Sequence, residues 1–320
     1  MTGLLLALFF PLSANAASHI LNPPQLTCTQ APASVDPTSL SSFQLESYGL
    51  PMRPPSSAGS QAQARWLHLA NRIKHDRHDC HPQRAIGSFA HHPIPTPDVQ
   101  QGQRNIISNV TKITDAAWAG NFDVAHAGTY SFSSANWNLP CMNTGTREAV
   151  ASFWVGIGGF GNGGGSGYTP QAGTDVHVDA AGNVSYTYWI EDTGSNDYID
   201  TYQMPNAGCG NTMYVEVDSP VAGANVYYIV DGGGVDQSFT QNWPVTAGDS
   251  GECFVERVHG QTLADFNYIA FSNCYMNGNG IGNWPHNYYV MVNSSGQEMA
   301  GPGPITNNGL NYNVNWYLSH

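Results

Sequence analysis

The chain has 320 residues and a formal net charge of −13 at neutral pH, with 23 Asp and Glu against ten Lys and Arg. Eight of the basic residues and five of the acidic ones lie in residues 1–112, whereas residues 113–320 hold two basic and 18 acidic residues, so the two parts carry +3 and −16. An acidic part with so few cations argues against nucleic-acid binding, which relies on Lys and Arg contacts to phosphates.

The opposite charges of the two parts predict that they attract each other at neutral pH. Because acid protonates carboxylates, we expect low pH to weaken that attraction. This layout is typical of a precursor whose basic leader is released by acid. The alternative is a soluble acidic domain with an incidental basic leader.

The N-terminus carries a targeting pattern. Residues 4–12 form an apolar run that is followed by the small-residue pattern Ala14-Asn15-Ala16. This pattern predicts a secretory signal peptide over residues 1–16, and hence a protein that is secreted, or periplasmic in a bacterial host. The run is too short to cross a bilayer and no later stretch approaches roughly 20 apolar residues, so we expect no membrane association.

Six cysteines suit an oxidising compartment but allow 15 pairings. Two of them fall in the basic leader and four in the acidic part, so pairing within each part is the simplest prediction. The leader holds Cys28 and Cys80, and the acidic part holds Cys141, Cys209, Cys253 and Cys274.

A metal site has little support in the sequence. No Cys-x-x-Cys spacing is present, so a zinc ribbon is not indicated. The run from His75 to His81 contains metal-ligand residue types, but a solvated, charged helix end is the more common role of such a run. We expect no metal and no other cofactor.

The leader is predicted to be mostly irregular. Residues 17–60 are rich in Pro, Ser, Ala and Gln. From Gln61 to His75 apolar residues recur at helical spacing, which predicts one amphipathic helix with a basic face; they are Trp66, Leu69, Ala70 and Ile73. The proline-rich run 91–97 then predicts an extended linker. We therefore expect a prosegment over residues 17–105 and an acidic domain over residues 106–320.

The acidic part alternates short β-branched or aromatic segments with Gly, Asn and Ser turns, which predicts one antiparallel all-β domain, either a sandwich or a barrel. The predicted strands are Ala149–Ile157, Val184–Ile190, Tyr214–Asp218, Val226–Val230, Glu252–Arg257, Tyr268–Ser272, Tyr288–Val292 and Asn311–Leu318.

One short motif points to a different chemistry. Asp192-Thr193-Gly194-Ser195 is the catalytic loop of aspartic proteases, which need two such loops so that two aspartates share a proton. The sequence contains no second Asp-Thr-Gly or Asp-Ser-Gly. A turn between strands is therefore the favoured interpretation of this loop.

A set of motifs follows a fixed order along the acidic part. They are Trp118-Ala-Gly120, Phe153-Trp154-Val-Gly-Ile157, Gln171-Ala-Gly-Thr-Asp175, Trp189-Ile-Glu191, Glu252-Cys-Phe-Val-Glu256 and Asp265-Phe266 with Ile269-Ala-Phe271. In this order they resemble the glutamic peptidases of the eqolisin type, peptidase family G1, whose pattern runs W-A-G, W-V-G-I-D, Q-T-G-V-D, W-Y-E-W, A-E-W-I-V-E and F-x-x-V-x-F. The resemblance covers residues 113–320 and implies an antiparallel double-sheet β-sandwich of the concanavalin-like jelly-roll type.

The resemblance also implies roles for individual residues. The family's catalytic glutamine and glutamate fall on Gln171 and Glu252. Glu252 would act as general base on a water molecule, and the Gln171 amide would bind the water and the developing oxyanion. The remaining candidates would bind substrate or support the pair: Trp118, Trp154, Trp189, Asp175, Glu191 and Glu256.

Strand geometry makes a prediction about the glutamate segment. Alternation places Glu252, Phe254 and Glu256 on one sheet face and Cys253 and Val255 on the other. We expect the two carboxylates on the solvent face, lining a groove. The chain also departs from the family, because Gly158 stands where the family has Asp, and Gly251 and Cys253 replace Ala and Trp around Glu252.

The expected function is a secreted acid endopeptidase for polypeptide substrates, a monomer made as a zymogen whose prosegment blocks the groove. One alternative is a β-sandwich that binds or cleaves carbohydrate, with Glu252 and Glu256 as a glycosidase pair. Another is a catalytically inactive homologue. Carboxylates four residues apart on one strand are not opposed across a bond, and carbohydrate binding explains neither Gln171 nor the basic leader, so both features favour the peptidase.

Overall fold

A computed structural model of the chain describes residues 25–26, 31–75, 111–125, 128–160, 169–193, 198–219, 225–242 and 248–320. The predicted signal peptide, the proline-rich linker, Cys28, Cys80, His78 and His81 lie outside these residues. The boundary between prosegment and domain, which the sequence puts near residue 105, also lies outside them.

The described part of the leader comprises strand β1 (Gln25–Leu26) and helices α1 (Ser42–Ser47) and α2 (Gly59–His75), with 3-10 turns at Pro37–Ser39 and Ser56–Ala58. Helix α2 confirms the predicted amphipathic helix, and its four periodic apolar side chains are all buried. The expectation that residues 17–60 lack packed structure is wrong for α1, where Leu45 is buried. Ser41 bonds with Gln44 at the start of this short helix, a local cap that the overall composition of the segment concealed.

The remaining described residues form a β domain. Its strands are β2 (Thr111–Asp115), β3 (Trp118–Val124), β4 (Phe132–Asn138), β5 (Ala149–Ile157), β6 (Thr169–Val178), β7 (Val184–Thr193), β8 (Tyr198–Gln203), β9 (Thr212–Asp218), β10 (Asn225–Gly232), β11 (Val235–Asn242), β12 (Ser250–Glu256), β13 (Thr262–Leu263), β14 (Tyr268–Met276), β15 (Asn279–Gly280), β16 (Asn287–Val292), β17 (Glu298–Pro302) and β18 (Tyr312–Trp316), with a 3-10 turn at Ile281–Asn283.

The strands form two packed sheets. Sheet I has the order β1-β11-β10-β9-β4-β14-β15, and sheet II runs β8-β7-β6-β5-β12-β3-β16-β17-β18-β14. Strand β14 belongs to both, because residues 268–271 pair with β18 and residues 272–276 pair with β4. Pairing is antiparallel except between β16 and β2 and between β13 and β5.

The main core lies between the two sheets and follows the period-2 alternation of the strands. On β9, Val215 and Val217 point into this core, and on β12 Cys253 and Val255 do the same. The structure is thus the double-sheet β-sandwich that the sequence predicts. Each of the eight predicted strands overlaps an observed one. Strand β6, which carries Gln171, was not predicted, because Pro170 and Gly173 disfavour a strand, although apolar and polar residues alternate from Gln171 to Val178.

Both disulfides in the described residues lie within the acidic part, as predicted. One joins Cys141 to Cys209, and the other joins Cys253 on β12 to Cys274 on β14. Among the helices that the structure describes, none is long and apolar enough to cross a membrane.

The two disulfides should contribute unequally to stability. Their cysteines are 68 and 21 residues apart, and the chain-entropy argument gives about 4 and about 3 kcal/mol respectively. We expect Cys141→Ala/Cys209→Ala to lower the free energy of unfolding more than Cys253→Ala/Cys274→Ala, as measured by urea titration. A larger loss from the Cys253–Cys274 pair would show that packing in the core outweighs loop entropy.

Candidate active site

The two predicted catalytic residues lie on one row of sheet II. Glu252 on β12 pairs with Gly156 on β5, Gly156 pairs with Gln171 on β6, and Gln171 pairs with Glu191 on β7. Residues that pair directly across neighbouring strands point to the same face. Because Ala172 and Cys253 point into the main core, this row faces outward, away from sheet I. Glu252 and Gln171 are thus two strands apart, about 10 Å between Cα atoms.

The absence of a side chain at Gly156 leaves the space between the two residues open. A Cβ atom at this position would lie 2.8 Å from Oε1 of Glu252 and 3.3 Å from Cβ of Gln171. A distance of 2.8 Å is too short for a carbon atom, so the carboxyl of Glu252 occupies the space above Gly156. The glycine therefore lets the two side chains approach each other across the intervening strand.

Both side chains are buried, with no exposed surface. Gln171 Nε2 donates to Oε2 of Glu191 at 3.4 Å. Within the described residues, Gln171 Oε1 and both carboxyl oxygens of Glu252 have no hydrogen-bond partner. The prediction that Glu252 and Glu256 lie on a solvent face is wrong, because every residue of β12 is buried. The alternation was correct, but this outer face is covered by aromatic side chains.

Burial raises the pKa of Glu252 well above its ordinary value. The Asp249 carboxylate adds to the increase, and the Ser250 hydroxyl opposes it. That hydroxyl donates to the carbonyl oxygen of Gly158 at 2.7 Å, so it offsets the effect of burial only in part. Glu252 is therefore a carboxyl that its burial holds toward the neutral form.

Next to the row that carries Glu252, a second row of sheet II alternates glycine and aromatic residues. Its members are Gly120, Phe254, Trp154, Gly173 and Trp189. A Cβ at Gly173 would lie 2.6 Å from the Trp154 side chain and 2.8 Å from that of Trp189. The two glycines thus make room for the rings, and Trp154 meets Phe254 edge to face at 5.1 Å. Trp154 and Trp189 are both fully buried in one aromatic cluster beside the Glu252–Gln171 row, and this pair is termed the tryptophan floor.

A third row places carboxylates under these rings. Trp154 Nε1 donates to Oε2 of Glu256 at 3.1 Å, and Trp189 Nε1 donates to Oδ1 of Asp175 at 2.9 Å. Asp175 and Glu256 therefore hold the tryptophans, whereas Glu191 is the carboxylate that contacts Gln171. The sixth candidate, Trp118, pairs with Glu256 across β3 and β12 and packs against Tyr289, with 6.1 Å between ring centroids.

Sequence reasoning missed the aromatic residues that close the other side of Glu252. Phe122 pairs with Glu252 across β3 and β12, and it stacks on Phe160 at 4.8 Å and on Tyr289 at 4.7 Å. Alternation from Trp118 along β3 would have placed Phe122 on this face. Phe160 and Tyr289 come from distant parts of the chain and carry no local signal.

A further carboxylate lies near the position where the family aspartate is missing. Gly158 and Ser250 are joined by a backbone hydrogen bond of 3.0 Å, and the preceding residue, Asp249, accepts from the amide of Phe160 at 3.1 Å. Asp249 thus holds the chain just after β5 from the opposite strand. Its only sequence signal was its position three residues before Glu252.

The Asp-Thr-Gly motif does not join this site. Asp192 is buried near the end of β7, and alternation puts it on the opposite face of sheet II from Glu191. Gly194 and Ser195 lie outside the described residues. Nor do the described residues hold any group of three or more His, Cys, Asp or Glu side chains placed to bind a metal.

The described part of the leader, residues 31–75, packs against the outer face of sheet I through Tyr227 and Ile229. The row that carries Glu252 is on the outer face of sheet II, on the other side of the sandwich. The expectation that the prosegment blocks the groove is therefore wrong for the part of the leader seen here. The opposite net charges predicted that the two parts attract each other, but they did not indicate which face of the β domain the leader covers.

The raised pKa of Glu252 should lower the free energy of unfolding as pH rises. An unfolded glutamate ionises near pH 4.3, whereas the folded one remains neutral to higher pH, so stability is complete below that value and declines above it. We expect Glu252→Gln to be more stable than the parent at pH 7, by about 1.4 kcal/mol for each unit of raised pKa, and equally stable near pH 3.5. Thermal unfolding from pH 3.5 to 7 measures this, with the exposed Glu148→Gln as control. Equal stability of the two chains at pH 7 would contradict it.

Comparison with known proteins gives the family. Residues 116–299 match the sequence profile of the Peptidase A4 family. Scytalido-glutamic peptidase with a transition state analog inhibitor shares the fold at a TM-score of 0.51 and 14% identity, over 63% of this chain and 99% of that one. SCP-B, a member of the eqolisin family in complex with the tripeptide Ala-Ile-His, has a TM-score of 0.46 and 15% identity over the same shares. No curated protein matches the sequence. Because the profile spans more than half of the chain, the protein belongs to the Peptidase A4 family and is an eqolisin-type glutamic peptidase.

Proposed function

We propose that the protein is a secreted acid endopeptidase that uses Glu252 and Gln171 to direct water onto a peptide bond. The observation that carries the proposal is their shared row across Gly156, where unpartnered polar atoms of both side chains are buried together. Buried polar groups without partners cost free energy. A site that retains them is prepared for a polar guest, here a water molecule and a peptide carbonyl.

The reaction needs one residue that moves a proton and one that binds oxygen. Ionised Glu252 takes a proton from water as the water oxygen bonds to the carbonyl carbon. Gln171 accepts a hydrogen bond from that water through Oε1, and its amide group donates to the oxyanion. Protonated Glu252 then returns the proton to the amide nitrogen as the C–N bond breaks. Glu191 fixes the orientation of Gln171 throughout, since it accepts from Nε2.

Burial raises the pKa of Glu252 and so favours its neutral form. A glutamate that is buried and neutral cannot act as a base. Entry of water and substrate would restore polar partners to the carboxyl and lower its pKa toward the ordinary value near 4.3, which suits acidic operation. Entry of water would also provide a hydrogen-bond donor for Gln171 Oε1. Activation therefore consists of opening the outer face of sheet II.

The floor of Trp154 and Trp189 favours extended polypeptides with apolar side chains. The rings are fixed by Glu256 and Asp175, so they would present a rigid surface to a substrate once the outer face of sheet II opens. Membership of the Peptidase A4 family supports polypeptides as the general class of substrate. Cleavage near large apolar residues is the preference that this floor predicts.

Export and precursor synthesis are also part of the proposal. The signal-like N-terminus and the two disulfides within the acidic part support an oxidising, extracellular location. The leader, packed on the β domain through its basic helix, supports synthesis as a precursor. We expect the protein to act as a monomer.

The separation of Glu252 and Glu256 argues against their use as the catalytic pair of a glycosidase. Glu252 and Glu256 are four residues apart on one strand, about 13 Å, whereas glycosidase carboxyl groups are roughly 5 to 9.5 Å apart. Glu256 also binds the indole of Trp154. An inactive homologue remains as an outcome of the activity test.

The test is cleavage of a denatured protein at pH 3.5 and at pH 7 after acid preincubation. We expect activity only in acid, unaffected by pepstatin and EDTA. Glu252→Gln should lower kcat by about 10²- to 10⁴-fold and Gln171→Ala by about 10²- to 10³-fold, with the exposed Glu148→Gln unchanged. Inhibition by pepstatin would implicate Asp192 instead. An absence of cleavage by the folded, processed parent at both pH values would identify an inactive homologue.

Gly156 provides a sharper test of the geometry. In Gly156→Ala the new methyl group would displace the Glu252 carboxyl, because it would lie 2.8 Å from Oε1. A displacement near 1 Å costs about 10²-fold in rate, so kcat should fall by that factor while the fold is retained. The control is Gly301→Ala on β17, where the nearest atoms are 3.6 Å away. Wild-type kcat in a folded Gly156→Ala chain would rule out the shared row as the site.

A further inference from the structure

The outer face of β9 and β10, here termed the back face, carries an unusual mixture of groups. Alternation directs three residues of each strand outward, away from the main core. They are Tyr214, Glu216 and Asp218 on β9 and Tyr227, Ile229 and Asp231 on β10. Three carboxylates next to apolar and aromatic side chains form a surface that is suited to a basic amphipathic helix.

The leader provides that helix. Trp66, Leu69 and Ile73 of α2 are buried in one cluster with Tyr227 and Ile229 of the back face. Ala31, Leu45 and Leu50 of the leader extend the same cluster, so a folded unit, rather than one helix alone, covers the surface. Trp66 is tied within this unit, because its indole donates to the carbonyl of Pro51 at 2.7 Å.

Two arginines on one side of α2 provide matching charges. Arg65 lies 3.5 Å from Oδ1 of Asp218 and donates to the Ser131 hydroxyl at 2.8 Å. Seven residues later, or two helical turns, Arg72 forms an ion pair with Asp231 and its guanidinium lies 4.4 Å above the ring of Tyr214. The helix is therefore fixed at two points, and each arginine is partly shielded from water.

The buried carboxyls between these points give the contact an unexpected pH dependence. Burial raises the pKa of Glu216 and, well above the ordinary value, that of Asp218, although Arg65, His68 and Arg72 oppose part of the increase. The Tyr214 hydroxyl donates to Glu216. Groups whose pKa is raised by docking take up protons when they dock, so for these two carboxyls acid favours the contact. Their effect is opposite to the acid release that the net charges predict.

We propose that the back face is a docking surface for the chain's own leader, and that residues 31–75 stay bound there after the chain is cut between α2 and β2. The product is a two-chain protein whose leader fragment lies on the opposite side of the sandwich from Glu252. Residues 31–75 then form a permanent layer on the outer face of sheet I. Retention requires no catalysis, so its failure can be distinguished from failure of the proposed peptidase function.

The experiment uses the full chain with Glu252→Gln, to prevent self-cleavage, and a recognition site for an external protease inserted after Pro97. The chain is cut, and the fragments are followed by size-exclusion chromatography and by their dissociation rate at pH 7 and pH 4. We expect the leader fragment to co-elute with the domain at both pH values. Separation of the fragments at pH 7, with the domain still folded by circular dichroism, would overturn the proposal. Dissociation of the leader fragment at pH 4 but not at pH 7 would overturn the proposal that it stays bound in acid.

Variants identify the contact. Arg65→Ala/Arg72→Ala should accelerate dissociation of the cut fragment by about tenfold or more, whereas Arg147→Ala should leave it unchanged. Arg147 serves as the control because it contacts the carbonyl of Ala180, away from the back face. If the double variant does not fold, hydrogen exchange of residues 59–75 in the uncut single variants is the second measurement. Faster exchange than in the parent supports the docking, and equal protection contradicts it.

Discussion

Close approach of Glu252 and Gln171 across an intervening strand is the constraint on which the candidate site depends. Neighbouring strands in a sheet are nearly 5 Å apart, so two side chains separated by one strand normally have a third side chain between them. Gly156 removes that third side chain. The same device recurs one row along, where Gly120 and Gly173 admit the rings of Phe254, Trp154 and Trp189. Sheet II thus gains a shaped outer surface from glycines in strand interiors, where glycine otherwise weakens a strand.

Carboxyl groups are buried on both outer faces of the sandwich, and they differ in the partners that offset their burial. Asp175 and Glu256 accept hydrogen bonds from indole nitrogens, and Asp218 lies beside Arg65. Such partners offset the cost of removing a carboxylate from water. For Glu252 the Ser250 hydroxyl opposes the effect of burial only in part, so this carboxyl carries a free-energy cost that a working site commonly retains. The surrounding sandwich, with its large core, makes this cost tolerable.

The sequence predicted well where local patterns decide the outcome. Helix α2 follows from helical spacing, and the faces of β12 follow from alternation. Strand β6 was missed because Pro170 and Gly173 disfavour a strand locally, although apolar and polar residues alternate from Gln171 to Val178. Burial of Glu252 was missed because it depends on Phe122, Phe160 and Tyr289, which come together only in the fold.

The position of the leader could not be predicted from charge. A sum of charges gives the strength of an attraction but no direction, and the acidic part carries carboxylates on both outer faces. Docking is decided by which face presents Asp218 and Asp231 at the two-turn spacing of Arg65 and Arg72, next to an apolar surface. Those features require the register of β9 with β10, which the sequence does not reveal.

Strand β14 crosses from one sheet to the other, and its Cys274 is bonded to Cys253, next to Glu252 on β12. The Ser133 hydroxyl of sheet I also donates to the backbone carbonyl of Glu252 at 3.1 Å. The strand that carries the proposed base is therefore fastened to the opposite layer by a covalent bond and a hydrogen bond. The sandwich cannot open like a hinge at this point. If Glu252 is the base, substrate access depends on movement of the aromatic side chains that bury it, among them Phe160 and Tyr289, while the two layers remain a fixed frame.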